Sequence, residues 1–115
     1  MTFEFATAGR IVFGTGTFAH AGALTRECGC NAFVVTGRSG RFNERLLGAL
    51  RVAGVSASVF PVGGEPTVAD VERGVRAARE AGADCVVALG GGSVIDAGKA
   101  IAALVTNDGA ANDYL

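Results

Sequence analysis

One lysine, one histidine and two prolines are all that 115 residues hold of those three types, and each scarcity narrows the function. Nine of the ten basic residues are arginines, spread along the chain, and the formal net charge is −1. No basic face is on offer to a nucleic acid. The single histidine, His20, cannot supply the several convergent ligands of an iron or zinc site. No Ser/His/Asp or Cys/His set is present either, so no catalytic residue is assigned. No stretch approaches the ~20 apolar residues of a membrane span. The opening Met1-Thr2-Phe3-Glu4-Phe5 lacks the basic and long apolar regions of a signal peptide. The expectation is a cytoplasmic chain with neither nucleic acid nor membrane as partner. Three cysteines are an odd number, and Cys28 and Cys30 make C-x-C rather than C-x-x-C. They read as reduced thiols, with Cys85 a small buried hydrophobe.

What is abundant is apolar residues, half of the chain, and glycine, 18 in all, mainly at the ends of apolar segments. This length makes one domain at most, large enough to bury a real core. Residues 11–13, 32–36, 55–60 and 85–89 read as strands, most of them near-continuous apolar runs suited to a parallel sheet covered on both faces. Helical spacing lies between them. Leu46, Leu47, Leu50 and Ala53 form one stripe, and Val68, Val71, Val75 and Ala78 another. Thr67 after Pro66 reads as a helix cap, and Gly54 and Gly82 stand where C-terminal caps belong. Residues 93–104 are apolar nearly all round and call for neighbours on most sides; the remaining segments look too few to provide them. Residues 106–109 read as a turn. The alternation of strand and helix predicts a doubly wound α/β fold, whose ligands bind beyond the carboxyl ends of the strands.

Two glycine-rich turns compete for a phosphate. Gly14-Thr15-Gly16-Thr17-Phe18-Ala19 matches G-x-G-x-x-A, but the next strand ends Thr36-Gly37-Arg38, without the acid that would hold a ribose 2′-hydroxyl. Gly90-Gly91-Gly92-Ser93 follows the apolar run 85–89 and opens a helix. Three glycines let a ligand approach the backbone, and the helix start presents unpaired N–H groups. Ser93 reads as the cap, with Asp96 as a possible capping-box partner. Lys99, the lone lysine, lies three residues past Asp96 on the same helix and points to a ligand role more than to a surface ion pair.

Gly-Gly-Gly-Ser-x-x-Asp-x-x-Lys closely resembles the pyrophosphate motif of iron-containing (group III) alcohol dehydrogenases. Gly9-Arg10-Ile11-Val12-Phe13-Gly14-x-Gly16 resembles that family's first strand and turn. Gly64-Glu65-Pro66-Thr67 resembles its loop after the third strand, and Thr106-Asn107 with Asp113-Tyr114-Leu115 resembles its exit from the motif helix. The likeness runs in order along essentially the whole chain. It implies a Rossmann-like α/β domain over residues 1–115, the N-terminal part of a two-domain dehydroquinate-synthase-like fold, with the helical metal-binding domain outside this chain. The implied chemistry is hydride transfer between NAD or NADP and a small alcohol or carbonyl substrate. Gly90, Gly91, Gly92 and Ser93 would hold the pyrophosphate. Asp96 and Lys99 would lie toward the ribose and nicotinamide. Gly37 would sit under the adenosine ribose, where the family's Asp favours NAD; glycine there, with Arg38 and Arg41 after it, permits NADP. The full enzyme would hold Fe²⁺ or Zn²⁺ on one Asp and three His, none of them in this segment. The resemblance also implies a homodimer paired through N-terminal strands, and Phe3 and Phe5 alternate as if to meet a partner. Sister enzymes with a similar nucleotide half are glycerol dehydrogenase, maleylacetate reductase and dehydroquinate-synthase-like lyases; a stand-alone, non-catalytic nucleotide-binding module is the reading from a different class.

Overall fold

In a computed structural model the chain is described over residues 2–6, 10–14, 18–38, 40 and 43–106. The elements run β1 (Thr2–Ala6), β2 (Arg10–Gly14), α1 (Phe18–Cys28), β3 (Asn31–Gly37), α2 (Asn43–Val52), β4 (Ser56–Val62), α3 (Val68–Glu80), β5 (Cys85–Gly90) and α4 (Gly92–Thr106). One sheet has the order β2-β1-β5-β3-β4.

β3 pairs in parallel with both β4 and β5. These three strands and their helices form the expected α/β arrangement. The expected first strand, residues 11–13, is present inside β2 but outside the parallel set. β2 runs antiparallel to β1, and β1 runs antiparallel to β5. Only three residues separate β1 from β2, whereas a parallel crossover needs a dozen or more. Both edges of β1 are therefore occupied, and β2 is the outer strand. The side chains of Phe3 and Phe5 lie outside the described residues, as do the turn 15–17 of the first glycine motif, Arg41, and residues 107–115.

The sheet carries a core on each face. On one side Phe33, Val35, Val86 and Ala88 meet Val71, Val75 and Ala78 of α3 and the apolar stripe of α4. On the other, Ala32, Val34, Val87 and Leu89 meet Ala21 of α1 and Leu46 and Leu50 of α2. Period-two alternation along β3 and β5 assigns every residue to its face. Val68, expected on the buried stripe, stays 38% exposed as the first residue of α3. The helix that looked short of partners finds them within the chain: α4 packs on β5, α3, β1 and β3. Val94, Ala97, Ala100, Ile101, Ala102 and Leu104 are all buried.

The caps follow the sequence. Thr67 Oγ1 accepts from the Asp70 amide at 3.1 Å, and the Thr67 amide donates to Asp70 Oδ2 at 2.9 Å. Those Thr67 bonds, with a smaller contribution from Arg73, hold the Asp70 carboxyl below its usual value. Gly54 and Gly82 adopt φ of +81° and +68°. Val55 donates to the Leu50 carbonyl and Ala83 to the Ala78 carbonyl, closing α2 and α3 with six-to-one bonds that a left-handed residue makes possible. Cys85 is buried as expected. Burial, and then the charge of Asp84, pushes its thiol up to about 12. No described helix is long and apolar enough to cross a membrane.

Candidate functional site: a dinucleotide crevice

The connection after β3 leads to α2 on one face of the sheet, and the connection after β5 leads to α4 on the other. Loops that part in this way open a crevice at the carboxyl ends of adjacent strands, the place where α/β sheets take ligands. β3 and β5 are neighbours, so the crevice lies between Gly37 and Gly90.

The glycines of the motif do two different things. A Cβ on Gly90 would stand 2.8 Å from Val94 Cγ2, so β5 turns into α4 with no room for a side chain. Among the described residues, nothing lies within 4 Å of where a Cβ on Gly91 or Gly92 would be. Their freedom from side chains is not needed for packing and leaves open space at the start of the helix. The Ile95 amide donates to the Gly91 carbonyl at 3.1 Å, the first intrahelical bond. Gly91 is therefore the capping residue and the helix begins at Gly92. The amides of Gly92, Ser93 and Val94 have no carbonyl behind them within the helix and stand at the positive end of a 15-residue helix.

Ser93, expected as the cap, instead sits inside the first turn. Its Oγ donates to Glu65 Oε1 at 3.2 Å. The helix starts earlier because the second glycine, Gly91, takes the capping position, which frees the serine for a longer contact. Glu65, on the loop after β4, is not among the residues the sequence marks for the site; its place in Gly64-Glu65-Pro66-Thr67 is the one signal it offers. Gly37 ends β3, and a Cβ there would make ordinary contact with Val94 Cγ2 at 3.7 Å. Arg38 is exposed and stretches across the backbone of Gly63, where a Cβ would collide with its guanidinium. So Gly37, Arg38, Gly90, Gly91, Gly92, Ser93 and Glu65 come together at the carboxyl ends of β3, β4 and β5. Asp96 and Lys99 lie farther along α4. They lie about 6 and 10 Å along the axis from the start of α4; Asp96 is exposed and Lys99 half-buried.

A glycine turn at a topological switch point fits many nucleotide enzymes, and comparison with known proteins narrows the choice. The sequence model for iron-containing alcohol dehydrogenases matches residues 8–115. The chain belongs to that family. It is 40% identical over 102 residues to a maleylacetate reductase of Rhizobium sp., covering 87% of this chain and 29% of that protein. It is 35% identical over 117 residues to a probable NADH-dependent butanol dehydrogenase of Bacillus subtilis, covering 96% of this chain and 30% of that one. Among solved structures, an archaeal halo-thermophilic alcohol dehydrogenase from a Red Sea brine pool superposes with a TM-score of 0.77 at 34% identity, over 84% of this chain and 25% of its own. An iron-containing alcohol dehydrogenase of Thermotoga maritima gives 0.72 at 34% identity, over 80% and 27%. The chain thus spans less than a third of the length of these iron-alcohol-dehydrogenase relatives.

The family name raises the question of iron. Among the described residues no group of three or more His, Cys, Asp or Glu is placed to hold a metal. His20 is exposed on α1. The described residues do not fit a metal centre, and no step is assigned to one here.

Proposed function

We propose that this chain is the nucleotide-binding part of an oxidoreductase that moves hydride between a nicotinamide dinucleotide and a small alcohol or carbonyl compound. The observation that carries the reading is the open space over Gly91 and Gly92 at the start of α4. A pyrophosphate fits there, held by the backbone amides of the first turn, that of Ser93 among them, with Gly90 allowing the backbone to turn beneath it. Gly37 and Arg38 then lie toward the adenosine, and Asp96 and Lys99 toward the nicotinamide half. The bound dinucleotide supplies the hydride; the residues of this chain bind and orient it. The Bacillus relative is named a dehydrogenase and the Rhizobium relative a reductase. One hydride transfer run in either direction accounts for both. A homodimer joined near the N-terminal strands belongs to the same reading, with β2 as the available edge.

The test is Gly91→Val in the full-length protein, with NADH binding followed by nicotinamide fluorescence. A branched side chain would occupy phosphate space while touching nothing in the protein itself. Affinity should fall by more than about tenfold, with the melting temperature unchanged. Undiminished NADH binding would remove the pyrophosphate from this turn.

A further inference from the structure

At the end of β3, where a carboxylate commonly holds the ribose of the adenosine, this chain has Gly37. A carboxylate nevertheless reaches the same corner from the neighbouring strand. Glu65 Oε1 accepts from Ser93 Oγ at 3.2 Å. Ser93 is followed by Val94, whose Cγ2 lies 3.7 Å from the position of a Cβ on Gly37. One turn of α4 therefore touches Glu65 with one residue and overlies Gly37 with the next. Arg38, laid across Gly63, brings a guanidinium to the same exit of β3 and β4. Val94 borders the gap left by the missing side chain of residue 37, while the anion bonded to Ser93 and the cation laid across Gly63, both on exposed residues, come to the same end of the sheet.

We propose that Glu65 sets the choice of coenzyme. Its carboxylate accepts a hydrogen bond from the adenosine ribose 2′-hydroxyl and repels a 2′-phosphate, standing in for the acid absent at position 37. The proposal rests on the dinucleotide reading above. It carries a definite sign. Arg38 alone would welcome a 2′-phosphate; Glu65, anchored by Ser93 to the first turn of α4, opposes it and tips the selection toward NADH. Because the charges are exposed, the discrimination is screened by salt.

Glu65→Gln separates charge from position, since the amide oxygen can still accept from Ser93. In the full-length protein the wild type should bind NADH more tightly than NADPH. The Gln variant should gain about tenfold for NADPH while NADH changes by less than about threefold. Glu65→Asp should keep the NADH preference, and added salt should narrow the wild-type gap. An unchanged NADH-to-NADPH ratio in the Gln variant, or equal losses for both, overturns the proposal: the residue would then only orient Ser93 or do nothing. If the wild type binds neither coenzyme, the dinucleotide reading falls and this assignment falls with it. A wild type that binds both while the Gln variant leaves their ratio untouched sinks this assignment alone.

Discussion

Gly22 of α1 faces the backbone of Ala49 in α2: a Cβ at Gly22 would stand 2.5 Å from the Ala49 carbonyl oxygen and 3.3 Å from the Ala53 side chain. The two helices approach this closely because glycine leaves nothing between them. They cover the face of the sheet opposite α4. Replacing Gly22 by Ala forces backbone, not a side-chain tip, to give way. The helix propensity of alanine favours the change by about 1 kcal/mol, but overpacking costs about 1–3 kcal/mol. A net loss of stability is expected in urea unfolding, and a raised midpoint would show that the helices separate without cost.

That contact could not be read from the chain, and the reason is general to what was missed. Thr67, Gly54 and Gly82 act on residues within a turn of themselves, so their roles are legible: the Thr67 cap, which Asp70 completes as a capping box, and two left-handed glycines appear where expected. The alternating runs of β3 and β5 were legible because burial on both faces needs continuous apolar residues. Gly22, Glu65 and Asp84 act across 27, 28 and 54 positions of sequence, and no local pattern marks them. The pairing of β1 was missed for a related reason. Five residues with two aromatics say extended, but not which neighbour supplies the hydrogen bonds. At the site itself, the run of three glycines is plain in the sequence, but not that Gly91 rather than Ser93 takes the capping position.

Asp84 joins the start of β5 to the turn before β3. Its carboxylate accepts from the Cys30 amide at 3.0 Å and the Asn31 amide at 2.9 Å. Partial desolvation pushes its pKa upward, but these amides and the neighbouring thiols outweigh that and hold it below the usual value. The folded state therefore prefers the ionised form, and the unfolded state binds the proton more readily. The contribution is fully present above the unfolded value of about 4 and is lost as pH falls through the lower folded value. Asp70 behaves in the same sense. Urea midpoints taken from pH 7 to pH 2.5 should fall at the acid end, and Asp84→Asn should flatten part of that fall while lowering the neutral-pH midpoint. A variant with an unaltered acid limb would remove Asp84 from the account.

Thr36 sits one residue before Gly37, and its side chain shares the face of Val34 and Leu89. It is 1% exposed, and its hydroxyl has no hydrogen-bond partner among the described residues. A buried hydroxyl without a partner costs about 1–3 kcal/mol in lost hydration. Valine has nearly the same shape and a better strand propensity. Thr36→Val is expected to raise stability by about 1 kcal/mol, read as an upward shift in the urea midpoint with the slope unchanged. A lower midpoint would reveal a partner for the hydroxyl, bound water included.

Gly37→Asp bears on the coenzyme corner from the opposite side to Glu65. The space is there: among the described residues a Cβ at Gly37 meets only Val94 Cγ2, at 3.7 Å. If the proposed function holds, an added carboxylate at the end of β3 should shift the relative affinity of the full-length protein for the two coenzymes toward NADH, through repulsion of a 2′-phosphate. Its size should depend on Glu65. Where one anion already guards the ribose, a second adds little; where Glu65 has been changed to Gln, the new Asp restores what was removed. Neighbouring charges acting on one group are expected to be non-additive in this way. In the wild-type background a shift of about threefold is expected, and in the Glu65→Gln background about tenfold or more. Equal shifts in the two backgrounds would mean that residues 37 and 65 act on different parts of the coenzyme. A shift toward NADP would mean that β3 does not end beneath the adenosine ribose at all.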